Sequence, residues 1–387
     1  MRRPPTSDTV FLASGFAAKY RQGGGNFSVP LQWALALQRL GRDFVWLEIL
    51  PASKDPAYDR ACIRTFRGRL RQHGLADRYC LLYQRPAADA HDLDTMRPYG
   101  MTRRELEDRL AGPHTLLNLS YSIHPPFLLR FEKRLLCDLD PSEFAYWMSR
   151  VEMGQSTHHE FWTIGLNIGA PDCWTPDNGL AWKTFHPLVD TVLNQPAPRP
   201  PRGAFTTVGQ WYWHNNLEID GGTPDLSKRA KFEPFLTLPQ LVPAARMELA
   251  VNLGDGNDAE RARLEGHGWH LRDPHTVATS PAVYRRYLRG ALAEFTTIKG
   301  VDVRWQTGWV SDRAAAFLAT GRPVITENAG VGRYLPAESG FMEIGTLDEA
   351  REAVERTLRD WPLLSRQARA CAEECFEGTR TLRRILG

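Results

Sequence analysis

Residues 307–332 read TGWVSDRAAAFLATGRPVITENAGVG. Ser311 or Asp312 can open a helix here, because a side-chain oxygen at that position accepts an otherwise orphaned amide of the first turn. RAAAFLAT favours helix, and Gly321 with Pro323 just beyond stops it, the glycine by entering the left-handed region and the proline by being unable to continue. PVIT is then a short apolar strand, and NAGVG a second glycine-bearing turn. Two readings are open. A helix N-terminus offers free amides and partial positive charge. Gly308 before it and Gly330 and Gly332 after the strand would let backbone amides approach the same ligand. Both loops leave strand C-terminal ends, where open parallel sheets bind ligands, so a nucleotide diphosphate fits between them. The other reading is a capped helix and an ordinary turn of one more α/β repeat.

The pattern around this unit is strand–helix alternation. TVFLAS, a glycine turn at Gly23, Gly24 and Gly25, the helix FSVPLQWALALQRLG and the strand DFVWLEIL make a βαβ unit, which implies a parallel sheet. NQPAPRPPRG, 194–203, holds four prolines in ten residues and reads as a stiff linker. Beyond it the alternation restarts with AFTTVGQWYW, then MELAVNL, WHLR, a helix over PAVYRRYLRGALAEF and a strand VDVRW, and the chain ends in helices. The expected architecture is α/β, with two Rossmann-like domains facing across a cleft: 1–195, a linker at 196–203, 204–365, and C-terminal helices over 366–387 crossing back to the first domain.

Bulk properties exclude several classes. With 387 residues, 42% hydrophobic and 24% charged, the chain can bury two cores, and a net charge of +3 is too mild to indicate nucleic acid. The six cysteines have no zinc spacing and suit a reducing cytoplasm. The apolar run after Asp8 is short and reads as a first strand rather than a secretion signal. No stretch approaches the ~18 apolar residues a membrane span needs. The triplet Gly23–Gly25 is not GxGxxG, since Ser28 stands where the third glycine is required, which disfavours a nicotinamide site.

The order GWVSDRAAAFLATGRPVI…NAGVGRYLP…GFMEIGTLDEAREAV resembles the C-terminal half of GT-B glycosyltransferases with a family-4-like nucleotide-sugar site. GGGNFSVPLQWALALQRLGRDFVWLE is similar to their N-terminal element, and HHEFWTIGLNIG to a poorly characterised branch of them. The resemblance spans the chain in layout, but only its two ends are motif-like. It implies transfer of a sugar from a UDP-, GDP- or dTDP-linked donor in the second domain to a hydroxyl acceptor between the halves, without metal or other cofactor. There is a departure: enzymes of this type carry two glutamates eight positions apart, and Ala316 occupies the place of the second. Ribose recognition would then fall to Asp312 or Glu327, and stereochemistry stays open.

Candidate roles follow. Lys228 and Lys231 stand where the resemblance places diphosphate-binding cations, and lysine is scarce here; a solvated helix end is the alternative. Gly24, Gly25, Gly308, Ser311, Asp312, Arg313, Glu327, Gly330 and Gly332 complete the expected donor site. Asp138 and Asp140 in CDLDPSEF, or His158 and His159, would serve as a base; alternatively the aspartates cap a helix and the histidines are structural. HHE lacks the i, i+4 spacing of a helical metal site. Arginines 60, 64, 67, 69, 71 and 78 form either a solvated face or a surface for anionic acceptors. A nucleotide-sugar epimerase, a transferase acting on a modified DNA base, and a silent binding paralogue are competing readings.

Overall fold

A computed structural model describes residues 8–85, 91–212, 217–219 and 221–387. Residues 1–7, and Trp213 in the stretch after the linker, lie outside them. The first sheet comprises β1 (Thr9–Ser14), β2 (Phe44–Pro51), β3 (Tyr79–Gln84), β4 (Arg97–Gly100), β5 (His114–Leu119), β6 (Lys133–Asp138), β7 (Glu160–Thr163) and β8 (Trp182–Thr184). Its order is β4-β3-β2-β1-β5-β6-β7-β8, parallel except for β4 against β3. The second sheet contains β9 (Phe205–Gln210), β10 (Met247–Asn252), β11 (His270–Arg272), β12 (Ala293–Thr296), β13 (Val324–Glu327) and β14 (Phe341–Ile344). It is wholly parallel in the order β11-β10-β9-β12-β13-β14. The central strands β1, β2 and β5 are buried on both faces, which is why they read as continuous apolar runs.

In each sheet the chain fills one side of its first strand and then returns to the other. This creates crevices at the strand C-termini between β1 and β5 and between β9 and β12. These two crevices position the site.

The quoted stretch folds as its chemistry dictates. Ser311 caps the helix Asp312–Ala319 by accepting the amide of Ala314 at 2.9 Å, and Gly321 takes φ +72°. One region departs from expectation. AEFT, at the end of the expected helix, is β12, and VDVRW, expected as a strand, lies in the helix Gly300–Trp305. Its alternation of Val301 and Val303 with polar residues mimicked a strand, but Asp302 is fully buried and accepts the Thr307 hydroxyl at 3.0 Å, which closes a helical turn.

The linker is fastened by a buried arginine. Arg322, 0% exposed, donates to the carbonyls of Ala197 (2.9 Å), Pro198 (2.9 Å) and Arg289 (2.5 Å). The helix Leu347–Cys371 bends at Asp360, two residues before Pro362. The last helix, Gly378–Leu386, then seats Leu382 and Ile385 in the first-lobe core, against the helix Gly24–Arg39.

Candidate active site

A cavity of about 740 Å3 lies between the lobes, at the two crevices. The first lobe contributes Phe16, Tyr20, Asn26 and Tyr58; the second contributes Gly209, Gln210, His275, Tyr284, Ser311, Asp312, Arg313 and Ala316. Of the expected donor residues, Gly25, Ser311, Asp312 and Arg313 stand on this wall. Ala316 lines it one helical turn beyond Asp312, so the two share a face. Among the described residues of the lining, the carboxylate and imidazole side chains are those of Asp312 and His275, both from the second lobe. Burial raises Asp312 to about 6.

Two cations meet at the β9/β12 crevice. Thr296 Oγ1 accepts from Lys228 Nζ at 3.2 Å and from Arg313 Nη2 at 3.1 Å. Lys228 also donates to the carbonyl of Thr297 at 2.8 Å. Among the described residues no carboxylate makes an ion pair with it. Its Nζ lies 5.5 Å from the ring centroid of Phe232, and its stem lies over Gly209. Burial, and after it the charge of Arg313, lowers its pKa to about 7. Arg313 pairs with the fully buried Glu294 and donates to the carbonyl of Val208 at 2.8 Å. A second pair sits next to this one. Lys231 bridges to Glu327 at 2.7 Å, and Glu327 accepts the amide of Ile298 at 3.0 Å, so Glu327 is committed within the protein.

The glycine loops lie elsewhere. Gly308 (φ +71°) and Gly330 (φ +80°) pack against Asn167 of the first lobe, where an added Cβ would meet Asn167 atoms at 2.9 and 2.6 Å. Asn167 ties the lobes by donating to the carbonyl of Gln306 at 2.8 Å. The amides of Ala329, Val331 and Gly332 are also engaged, since all three donate to the carboxylate of Glu343, at 3.2, 2.9 and 2.8 Å. The nest expected for phosphate thus holds an internal anion. Gly24 is a packing glycine: its amide donates to the carbonyl of Ala278 at 2.6 Å, and a Cβ there would lie 2.5 Å from the carbonyl oxygen of Ser280.

None of the four expected base candidates lines the cavity. Asp138 is buried beneath the strand ends, accepting from Thr163 Oγ1 (2.7 Å) and the amide of Asp140 (2.8 Å), and burial raises it to about 7. Asp140 and Glu143 clamp Lys299 across the lobes, Glu143 at 2.8 Å. His158 lies between the carbonyl of Gly154 and Asn118 Nδ2, at 2.9 and 3.1 Å, and burial lowers it to about 4. His159 packs on Arg134 at 3.0 Å. Arginines 60, 64, 67 and 71 are exposed, whereas Arg69 is buried and donates across the lobes to the carbonyl of Thr279 at 2.9 Å.

Sequence reasoning missed Glu48. It sits at 0% exposure, accepts the amide of Ala18 at 2.8 Å and the Ser14 hydroxyl, and is raised by burial to about 8. A neutral carboxyl thereby fastens the loop that carries Phe16 and Tyr20. Its signal was available, as one acid inside the apolar run FVWLEIL.

Comparison with known proteins bears on this geometry. No family model matches the sequence, and no curated protein does. Solved structures do match over nearly the whole chain. AviGT4, a glycosyltransferase of avilamycin A biosynthesis, is 13% identical with a TM-score of 0.55, covering 98% of this chain and 96% of its own. Anabaena HepE with UDP-glucose is 12% identical with a TM-score of 0.56, covering 98% of each. An alpha-glucosyltransferase solved with UDP and DNA is 10% identical with a TM-score of 0.54, covering 98% of this chain and 99% of its own. The fold is GT-B. In that fold two Rossmann-like lobes face each other across the cleft just described. No helix among the described residues is long and apolar enough to cross a membrane.

Proposed function

We propose that the chain is a cytoplasmic glycosyltransferase that moves a sugar from a nucleotide-diphosphate donor to a hydroxyl acceptor. The donor diphosphate lies at the β9/β12 crevice against Lys228, Arg313 and the amides of the helix at Ser311; the acceptor lies on the first-lobe wall at Tyr20, Asn26 and Tyr58. One observation carries this reading: Arg313 on the cavity wall and Lys228, packed behind the lining residue Gly209, converge on Thr296, and Lys228 has no ion pair among the described residues. Arg313 is already paired with Glu294, so Lys228 is the group whose charge a bound anion would stabilise. With the leaving diphosphate neutralised by side chains and helix amides, no resident metal ion is required. UDP is the donor nucleotide of first choice, because two of the matching structures hold it.

The test is proton uptake. Lys228 is largely neutral at pH 8 in the empty protein, since its pKa there is about 7. An adjacent diphosphate raises that pKa, so UDP binding at pH 8 takes up close to one proton and at pH 6 takes up almost none from this group. Titration calorimetry in two buffers of different ionisation enthalpy reads this directly, and no uptake at pH 8 removes the assignment.

With Ala316 in place of the expected glutamate and Glu327 engaged by Lys231, the ribose hydroxyls fall to Asp312. Asp312→Ala is expected to abolish a roughly tenfold preference for UDP over 2′-deoxy-UDP. A preference unchanged in the variant refutes this role. The second reading is a silent binding paralogue, favoured by Ala316. A donor-hydrolysis assay separates it from an enzyme, and release of a free epimerised sugar would indicate an epimerase instead.

A further inference from the structure

A second hollow lies towards the N-terminal ends of β9 and β10 in the same sheet. Its volume is about 370 Å3, and its walls include Arg202, Arg246, Arg272 and Arg286. Its floor is a buried polar chain. Thr206 Oγ1 and Tyr287 Oη lie 2.5 Å apart, and Tyr287 donates to Glu248 at 2.6 Å. Thr206 and Glu248 are each the second residue of their strand, so the hollow opens away from the strand C-termini and the donor crevice.

The charge balance is uneven. Glu248, with 5% of its side chain exposed, is the sole carboxylate among the described residues of this wall. It fixes Arg246 at 3.2 Å and approaches Arg272 at 3.7 Å, and those side chains stay 46% and 51% exposed. Arg202 and Arg286 have no ion pair among the described residues. Glu248 therefore holds two arginines in place without neutralising the set, and its Oε1 also accepts from Tyr287. A concave wall of four guanidiniums over a hydroxyl floor suits a compact group with several anionic oxygens, which planar guanidinium forks bind in pairs. Val277, Val283 and Ala291 complete the wall.

The placement gives the hollow a connection to the cleft. The segment 274–287 walls both cavities: Pro274, His275 and Tyr284 face the donor cleft, while Thr276, Val283 and Tyr287 face the arginines. We propose that this hollow is a second binding site for a phosphate-bearing small molecule, distinct from the donor site.

The test uses the full chain saturated with UDP, titrated calorimetrically with sodium tripolyphosphate at fixed ionic strength. One further equivalent is expected to bind, and Arg202→Ala with Arg286→Ala is expected to weaken it at least about tenfold while leaving UDP affinity unchanged. Both arginines are exposed, so the double variant should fold as the parent does. Thermal melting checks this, and Arg286→Lys in the wild-type background supplies an independent arm, with a smaller loss expected because lysine cannot bind in fork geometry. No second equivalent, or one that both variants leave untouched, overturns the proposal. Displacement of tripolyphosphate by a single-stranded DNA 20-mer at an equal or lower phosphate concentration overturns the small-molecule assignment.

Discussion

Replacing Lys228 by methionine is expected to stabilise the empty protein and to disable it. The lysine stem packs over Gly209, a place methionine can fill, while the amine is satisfied by no carboxylate ion pair among the described residues. Its pKa of about 7 lies below the unperturbed 10.5. The sign follows: between pH 7 and pH 10.5 the unfolded chain holds a proton that the folded chain does not. The penalty is thus fully present below pH 7 and is relieved as pH rises towards 10.5. Lys228→Met removes the penalty, raising the melting temperature at pH 7 by about 2–4 °C per kcal/mol recovered and flattening its rise with pH. The same change costs donor affinity about 30-fold or more, the loss of one charge-assisted contact of ~2 kcal/mol. Scanning calorimetry across pH and UDP titration check the two halves. A variant that is less stable and binds UDP normally would show that Lys228 is structural.

The second large effect is on stability alone. Arg322→Leu deprives three carbonyls of their donor and leaves an ill-filled site beside Trp361, whose ring centroid lies 5.2 Å from the guanidinium carbon. A loss of about 3 kcal/mol or more is expected, because the three charge-assisted hydrogen bonds of a fully buried guanidinium are lost together. Arg322→Lys is expected to recover only part of it, since one ammonium cannot reach acceptors spread over two segments as a fork does. Denaturant unfolding measures both. UDP affinity per folded molecule should not change, because Arg322 lies at the linker and not on the cavity wall. Wild-type stability in the leucine variant would mean that the linker docks without it.

These residues show what local sequence carries and what it does not. The helix at Ser311, its glycine stop and the strand after it are encoded within seventeen residues by capping, propensity and steric rules, and they form as read. The lobes were legible from strand–helix alternation for the same reason. The short helix 300–305 was not, because two valines flanking Asp302 fit either period over so few residues. Lys228 and Arg313 were legible as candidates by scarcity and position, though not their shared contact, which joins residues on three separate elements. The glycine loop misled for a related reason. Its amides are free on local grounds, and only the pairing of β13 with β14 brings Glu343 beneath them. Likewise nothing near Gly308 signals Asn167, nor near Asp140 signals Lys299, since each contact spans more than a hundred residues.

The most direct measurement compares UDP with uridine binding to the intact chain by titration calorimetry at moderate salt. If Lys228 and Arg313 form the seat of a diphosphate, UDP binds at least about 100-fold more tightly than uridine, and Lys228→Met erases most of that ratio. Equal affinities for the two, or a ratio that the substitution leaves intact, would contradict it.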